Sequence, residues 1–251
     1  MASWRQILEE AARLRHSGQF DQARELIKQF KPADSLEQRS KQVIVWAHEP
    51  FWWRVIEGRR CRLRRRDAQD VAFIRRLWKD EHFISAFNRF AVRLPASDVG
   101  LANLLSREYA SIVTESNSIH WAVETKGGVQ AGVLSFTNFS IPNRRAETLI
   151  GITEFPYSGI SVEAMLLAVE FGFGSMGLHK IYSLIYSDNE ISLRNTLHLG
   201  FEVEGRLREH VVDPKTKQPL DLIQTGLLRS DLTKLVFSRL GRRLLGRELT
   251  C

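Results

Sequence analysis

Cysteine is nearly absent from this chain. Its 251 residues hold two, Cys61 and Cys251, far apart in sequence. That spacing excludes a disulfide framework and fits a reducing compartment, so a cytoplasmic location is expected. No run of about 18 apolar residues occurs, which excludes a membrane-spanning helix. The opening Met1-Ala2-Ser3-Trp4-Arg5-Gln6-Ile7-Leu8-Glu9-Glu10 mixes charge with apolar residues and lacks the apolar core of a signal peptide. His120, His179 and His198 show no metal-ligand spacing with cysteine or carboxylate, and no metal site is expected. A composition 43% hydrophobic and 26% charged is that of a globular chain with a sizeable core.

Excess charge is absent from most of the chain as well. Residues 1–66 hold 15 lysines and arginines against 8 carboxylates; this surplus of seven equals the net charge of +7 for the whole chain, so the rest is balanced. The surplus is densest at Arg59-Arg60-Cys61-Arg62-Leu63-Arg64-Arg65-Arg66. A nucleic-acid patch is one reading. No aromatic residues interleave as they do in single-strand binders, which favours a short strand whose arginines are solvated or paired with carboxylates.

Apolar periodicity supplies the elements. Ile7, Leu8, Ala11, Ala12 and Leu14 form one helical stripe, and Phe20, Ala23, Leu26, Ile27 and Phe30 another. Gly18 turns the chain between them, as in a single tetratricopeptide unit, and Pro32 closes the second helix. One such unit cannot bury its own face, so it should dock on the main domain or on a partner. The aromatic segment 42–56, with Trp46, Phe51, Trp52 and Trp53, is the expected docking surface, and the hairpin is a candidate cap for an acceptor cleft. From residue 60 a mixed α/β alternation begins. Strands are expected at Cys61–Arg65, Ile119–Glu124, Val129–Phe139, Arg145–Thr153, Lys180–Tyr186, Phe201–Val211 and Leu220–Leu228, the second and third joined at Lys126-Gly127-Gly128. Helices are expected from Asp67 to Trp78, from Ser97 or Asp98 to Thr114, from Ser161 to Met176, and from Asp231 onward. The last carries Arg239, Arg242, Arg243 and Arg247; docking or a homodimer contact fits it better than a membrane surface. The chain thus divides into a helical N-terminal segment (1–57), a central domain (58–232) and a C-terminal basic helix (233–251).

The densest local signal is Ser187-Asp188-Asn189-Glu190-Ile191-Ser192, followed by Gly200-Phe201 and Gly205. Ser187 and Glu190 match a capping box, and Gly200 suits the left-handed residue that ends a helix. Asn189 and Ser192 share one face of the first turn, an amide and a hydroxyl at a helix mouth beside a strand end.

Asn189-x-x-Ser192, Gly200-Phe201, Glu204-Gly205-Arg206-Leu207-Arg208, Asp221 and the order of elements together resemble the Rim-type branch of the GNAT acyltransferase superfamily, over roughly residues 60–230. The resemblance implies an α/β (α+β) fold with a central mixed, mostly antiparallel sheet flanked by helices. It implies acetyl-CoA or another acyl-CoA as co-substrate and a small-molecule or protein amine as acceptor. Gly159-Ile160-Ser161-Val162-Glu163-Ala164 is similar to the family's phosphate-holding stretch, where unpaired N–H groups and the positive dipole end of a helix meet the pyrophosphate. Ser158, Gly159, Ile160 and Ser161 are the expected cofactor donors there. Asn189 is expected to touch the pantetheine arm or hold the loop, Ser192 to hydrogen-bond the departing sulfur, and the N–H groups of Ile152, Thr153 and Glu154 to meet the oxyanion. Before Gly159 the chain departs from the family, with Glu154 in place of a basic or amide residue and Tyr157 in place of a glycine. Glu147 and Glu154 compete as general base, Glu147 being preferred because it sits on a strand. Tyr182 and Tyr186 are alternative acids, although core packing is the expectation for both. The implied activity is acyl-CoA-dependent N-acyl transfer to a primary amine. Two other readings remain: a GNAT-shaped module whose cofactor loop has decayed, and a nucleic-acid binder.

Overall fold

A computed structural model describes residues 3–154 and 158–249. Phe155, Pro156 and Tyr157, together with the terminal Met1, Ala2, Thr250 and Cys251, lie outside the described residues; the departure noted at Tyr157 falls among them.

Among the described residues, eight strands form one sheet. They are β1 (Ile56–Glu57), β2 (Cys61–Arg65), β3 (Ser118–Thr125), β4 (Gln130–Ser140), β5 (Arg145–Ile152), β6 (Lys180–Tyr186), β7 (Glu202–Val212) and β8 (Pro219–Leu228). Their order across the sheet is β1-β2-β3-β4-β5-β6-β8-β7. Neighbours run antiparallel except β5 and β6, which are parallel. The mixed, mostly antiparallel sheet flanked by helices is the architecture expected from the order of elements. Gly128, at φ +81°, makes the turn between β3 and β4, a conformation that costs glycine little.

The N-terminal hairpin is α1 (Trp4–His16) and α2 (Phe20–Gln29), with Gly18 at φ +80° between them. A third helix, α3 (Ser35–Ala47), follows, its N-cap Asp34 accepting the N–H groups of Leu36 and Glu37 at 2.8 Å. The aromatic segment docks this unit as expected. Trp53 donates to the Tyr109 carbonyl at 2.8 Å, and the Phe20 ring lies 4.8 Å from that of Trp53. Arg15 is the deepest anchor: 2% exposed, it reaches the Ala110 carbonyl, the His48 ring and the Glu115 carboxylate. These contacts lie beyond the Ser118 end of β3. In register that end sits level with Thr137 and Glu147, away from the carboxyl ends of β5 and β6. The hairpin therefore packs at the far end of the sheet and does not cap the cleft described below.

One face of the sheet carries α4 (Val71–Lys79), α5 (Glu81–Phe87) and α6 (Asp98–Ala110), which pack Phe73, Ile74, Leu77, Phe83, Leu101 and Leu105 over Val133. Asp67 caps a 3₁₀ turn leading into α4, and Ser97 caps α6 by accepting the Gly100 N–H at 3.0 Å. A single short turn of helix, α7 (Val113–Ser116), leads into β3 and carries the Glu115 that Arg15 grips. The opposite face carries α8 (Ile160–Glu170), while α9 (Glu190–His198) follows β6 and α10 (Leu235–Leu240) leads into the turn 241–245 that packs on α8. Leu166, Leu167 and Ala168 are fully buried there with Leu63, Trp121, Phe136 and Phe237. Because α8 is apolar nearly all round, it is a core helix and not a surface one. It ends at Glu170, and Phe171–Ser175 form a wider π turn, so the long helix expected to Met176 is shorter and changes pitch.

Half of the arginine run is paired with carboxylates, as expected of a short strand rather than a nucleic-acid patch. Arg62 and Arg64 share Glu124, Arg64 also meets the fully buried Asp70, and Arg66 meets Glu108. The alternation expected of β7 is disturbed. Register shifts at Val203/Gly205 and Leu207/Val211 rotate successive side chains, and Val203 and Val212 are left exposed on this edge strand. Bulges and interspersed charge are what protect a sheet edge from pairing with another chain. The C-terminal basic stretch docks through Phe237, Leu244 and Leu245, and Arg247 pairs with Glu170 at 2.5 Å. Among the described residues no helix is long and apolar enough to cross a membrane.

Candidate active site

The site starts from a failure of strand pairing. Parallel strands β5 and β6 pair only at Arg145–Lys180, Ala146–Ile181 and Glu147–Tyr182. Beyond that point β5 continues to Ile152 and β6 to Tyr186, but each is now paired only on its other side. A wedge-shaped gap opens between two parallel strand ends, the place where open α/β sheets take ligands.

Glu147 stands at the vertex of this gap. Its carboxylate accepts Asn138 Nδ2 at 2.6 Å and a backbone hydrogen bond from Leu184, in the part of β6 that has left β5. Burial raises its pKa above the ordinary carboxylate value, and these two hydrogen bonds oppose the rise without cancelling it. Tyr182 and Tyr186 are not core residues. On β6 the core positions are Ile181 and Ile185, and the alternating tyrosines are half-buried on the other side. Both phenols have raised pKa values, chiefly from burial and with the Glu147 charge adding to it. Tyr186 Oη accepts the Arg89 N–H at 3.1 Å.

The donors expected for an oxyanion need revision. Thr153 and Glu154 both donate their N–H groups to the Ala131 carbonyl, at 2.9 and 3.2 Å, so they face β4. By the alternation of an antiparallel ladder, the N–H groups of Ile150 and Ile152 then face the side that β6 has vacated. Of the three expected donors, Ile152 alone points into the gap. The Glu154 carboxylate lies 3.6 Å from Arg76 of α4, on the face of the sheet opposite α8. It is therefore turned away from the helix mouth where its charge would oppose phosphate, and Glu147 rather than Glu154 occupies the vertex.

At the open end of the wedge two helices begin. Gly159 adopts φ +80° and ψ 3° as the N-cap of α8, and a Cβ there would stand 3.1 Å from Arg60 Nη1. That closeness, with the left-handed backbone, reserves the position for glycine. The first N–H groups of a helix have no intrahelical acceptor. Here Ser158 Oγ accepts the one from Ile160 at 3.3 Å, which leaves those of Ser161 and Val162 at the mouth. A glycine cradle with two outward N–H groups fits the phosphates of a nucleotide thioester.

The second helix, α9, starts two residues later than the Ser187–Glu190 pattern implied. Its N-cap is Asn189, whose Oδ1 accepts the Ser192 N–H at 3.1 Å, while Asn189 Nδ2 donates to the Ala86 carbonyl of α5 at 3.2 Å. An aspartate or asparagine nearer the apolar run outcompetes a distant serine for the cap. Both ends of the Asn189 amide are thus engaged in holding α9 and α5. Ser192 is half-buried, and its hydroxyl has no hydrogen-bond partner among the described residues. Gly200, at φ +93°, ends the helix as expected.

Sequence periodicity missed α5, and α5 closes one side of the wedge. Phe83 and Phe87 stack with their centroids 5.0 Å apart and lie against Gly151 of β5, where a Cβ would come within 2.4 Å of the Phe83 ring. At its other end, Arg89 lies 4.5 Å over the Tyr186 ring and pairs with Asp188 and Asp213, both at 2.8 Å. The only signal for it was Asp80, which caps the helix through Phe83 N at 3.0 Å.

Comparison with known proteins accords with this geometry. A family model described as an acetyltransferase (GNAT) domain matches residues 60–202, more than half of the chain. The uncharacterized N-acetyltransferase YoaA of Bacillus subtilis (strain 168) is 32% identical over 124 residues, covering 45% of this chain and 69% of its own. Spermidine N(1)-acetyltransferase of Escherichia coli (strain K12) is 32% identical over 104 residues; the match covers 41% of this chain and only 55% of that protein. Mycobacterium smegmatis RimJ, solved in complex with CoA-disulfide, covers 81% of this chain and 100% of its own at TM-score 0.66 and 19% identity, a likeness of fold. With the split strands, the glycine-capped helix mouth and the family match in agreement, the chain belongs to the GNAT acetyltransferase family, whose co-substrate is acyl-CoA.

Proposed function

We propose that the wedge between β5 and β6 is where this chain transfers an acetyl group from acetyl-CoA to the primary amine of a small molecule, with Glu147 as general base. The observation that carries this reading is the end of β5–β6 pairing at Glu147 and Tyr182, with a buried carboxylate at the vertex. Of the expected donors Ser158, Gly159, Ile160 and Ser161, the Ile160 N–H is taken by Ser158, so Ser161, with Val162, would offer N–H groups to the phosphates beside the Gly159 turn at the mouth of α8. Ile150 and Ile152 would offer N–H groups to the carbonyl oxygen as it gains charge. Attack of the amine nitrogen on the thioester carbon forms the C–N bond. Glu147 takes the proton that nitrogen releases, and the C–S bond breaks as the sulfur leaves with the electron pair. Ser192 and Tyr186 are the two hydroxyls proposed to stabilise that thiolate or return a proton to it. A base of raised pKa suits this work, since it holds the amine proton more firmly than an ordinary carboxylate.

The acceptor class is proposed from two considerations. Beside Tyr186, the single charge of Arg89 is shared by Asp188 and Asp213, an acidic excess at that side of the wedge that favours a cationic amine. Spermidine is the acceptor that the E. coli relative's name records, which makes a polyamine the first compound to test. The test measures free thiol released from acetyl-CoA with spermidine, an aminoglycoside or a short peptide with a free N-terminus. Thiol release with either small amine but not with the peptide supports the reading. Turnover of the peptide alone would replace it with a protein N-terminal acceptor.

A further inference from the structure

The arginine run from Arg59 to Arg66 divides in two. Arg62, Arg64 and Arg66 are paired with carboxylates, and Arg65 is buried with Nη2 donating to the Glu108 and Ser111 carbonyls at 2.8 and 3.3 Å. Arg59 lies along Gly246 of the C-terminal stretch. Arg59 and Arg60 both carry exposed guanidinium groups without a carboxylate partner among the described residues, and it is Arg60 that stands at the Gly159 turn. Its backbone is nonetheless fixed tightly. Glu163, fully buried in the first turns of α8, accepts the Arg60 N–H at 2.7 Å and the Cys61 N–H at 3.2 Å. On the other side the Lys126 N–H donates to the Arg60 carbonyl at 3.0 Å. This clamp sets the start of β2 against α8 and brings Arg60 Nη1 to the edge of the Gly159 cradle.

The cradle needs a cation. Two outward N–H groups and a partial helix charge face a ligand carrying two phosphoryl charges, and the preceding loop contributes Glu154 where the family has a basic or amide residue. Glu154 is drawn off toward Arg76, which removes a repulsion but adds no attraction. We infer that Arg60 is the positioning residue for the pyrophosphate of acyl-CoA, supplied from the turn before β2 in place of the missing loop residue. The inference rests on the acyl-CoA reading of the wedge. It gives a role to the buried carboxylate that holds this arginine's backbone.

The test is a calorimetric titration of the full chain with CoA and with dephospho-CoA, which keeps the pyrophosphate and lacks the 3′-phosphate. Arg60→Ala is expected to weaken both about tenfold, a typical loss for one charge-assisted hydrogen bond. Arg60→Lys should recover part of that loss. Arg62→Ala, which removes equal charge from the same run but from a residue held by Glu124, should leave both affinities within about twofold. Equal losses in Arg60→Ala and Arg62→Ala, or no loss in either, would overturn the assignment. So would a loss confined to CoA, which would place Arg60 on the 3′-phosphate. A wild-type chain that binds neither ligand overturns the cofactor reading itself, whereas tight binding indifferent to Arg60 overturns only its role.

Discussion

Asn138 Nδ2, on β4, donates to Glu147 Oε2 at 2.6 Å, at the point where pairing between β5 and β6 ends. The bond favours the ionised carboxylate, while burial favours the neutral acid and prevails. A base loses activity as pH falls through its pKa, so the acid limb of kcat/KM should lie above the ordinary carboxylate range. Asn138→Ala removes a stabiliser of the charged form, so the limb should move to higher pH. Glu147→Gln should lower kcat about 10²- to 10⁴-fold and abolish the limb. A pH–rate profile for the three proteins checks this, and an unmoved limb in Asn138→Ala would remove Glu147 from the role.

Asn189 and Ser192 share a motif but should separate on mutation. Asn189 caps α9 and tethers α5, so Asn189→Ala should cost about 1 kcal/mol of stability, as cap removals do. The Ser192 hydroxyl has no partner to lose among the described residues, so Ser192→Ala should leave the urea midpoint unchanged. A drop of about tenfold in kcat with KM held would then mark a contact made only in the transition state. Unfolding curves beside steady-state kinetics distinguish the two outcomes.

Much of the fold was legible because its signals were local. Cys61–Arg65 by its apolar–charged alternation, and Lys180–Tyr186 by its isoleucines and tyrosines, define strands to the residue, and Gly159 and Gly200 mark left-handed positions that other residues rarely adopt. What failed was non-local. Helix α5 has seven residues and its apolar side faces Gly151, more than sixty positions away, so no periodic stripe of helical length announces it. The cap of α9 was misassigned because Ser187 and Asn189 both precede the helix, and only the backbone decides which side chain reaches an N–H group. The role of Glu163 and the orientation of Glu154 depend on partners at Arg60 and Arg76, which spacing alone does not bring together.

Gly200 joins both kinds of information and gives a stability test. Its φ of +93° disfavours any side chain, and a Cβ would stand 2.9 Å from the Phe237 ring, which is buried in the core beside α8. Gly200→Ala should therefore destabilise by about 1–3 kcal/mol, from backbone strain plus displacement of a packed ring. Gly205 is the control: it has no positive φ, and a methyl group added there would meet nothing within 4 Å. Gly205→Ala should change stability by less than about 0.5 kcal/mol. Chemical denaturation of both proteins decides it, and equal costs would refute the argument from contact.

The N-terminal unit should make stability depend on pH through His48. Its Nδ1 meets the Ile44 carbonyl at 2.7 Å and its Nε2 faces Arg15 Nη1 at 2.6 Å, so the ring is held neutral, donating at one nitrogen and accepting at the other. Burial, with the Arg15 charge adding to it, lowers its pKa from 6.5 to about 4, although the Ile44 bond and the Glu115 charge oppose the shift. In the unfolded chain the ring takes a proton near pH 6.5; in the folded chain it stays neutral until about pH 4. Between these values the unfolded state binds more protons, so the stabilising effect is complete above pH 6.5 and is lost as pH falls toward 4. A shift of this size corresponds to about 3 kcal/mol. His48→Gln keeps a side-chain amide near Arg15 and removes the titration, so its loss of stability over that window should be smaller by a similar amount. Arg15→Leu strips the donor from the Ala110 carbonyl and the charge from Glu115, and should lower stability by about 2–4 kcal/mol at pH 7. Urea midpoints measured at half-unit intervals from pH 4 to pH 7.5 would test both. Parallel curves for wild type and His48→Gln would show that the ring is not held neutral in the folded chain.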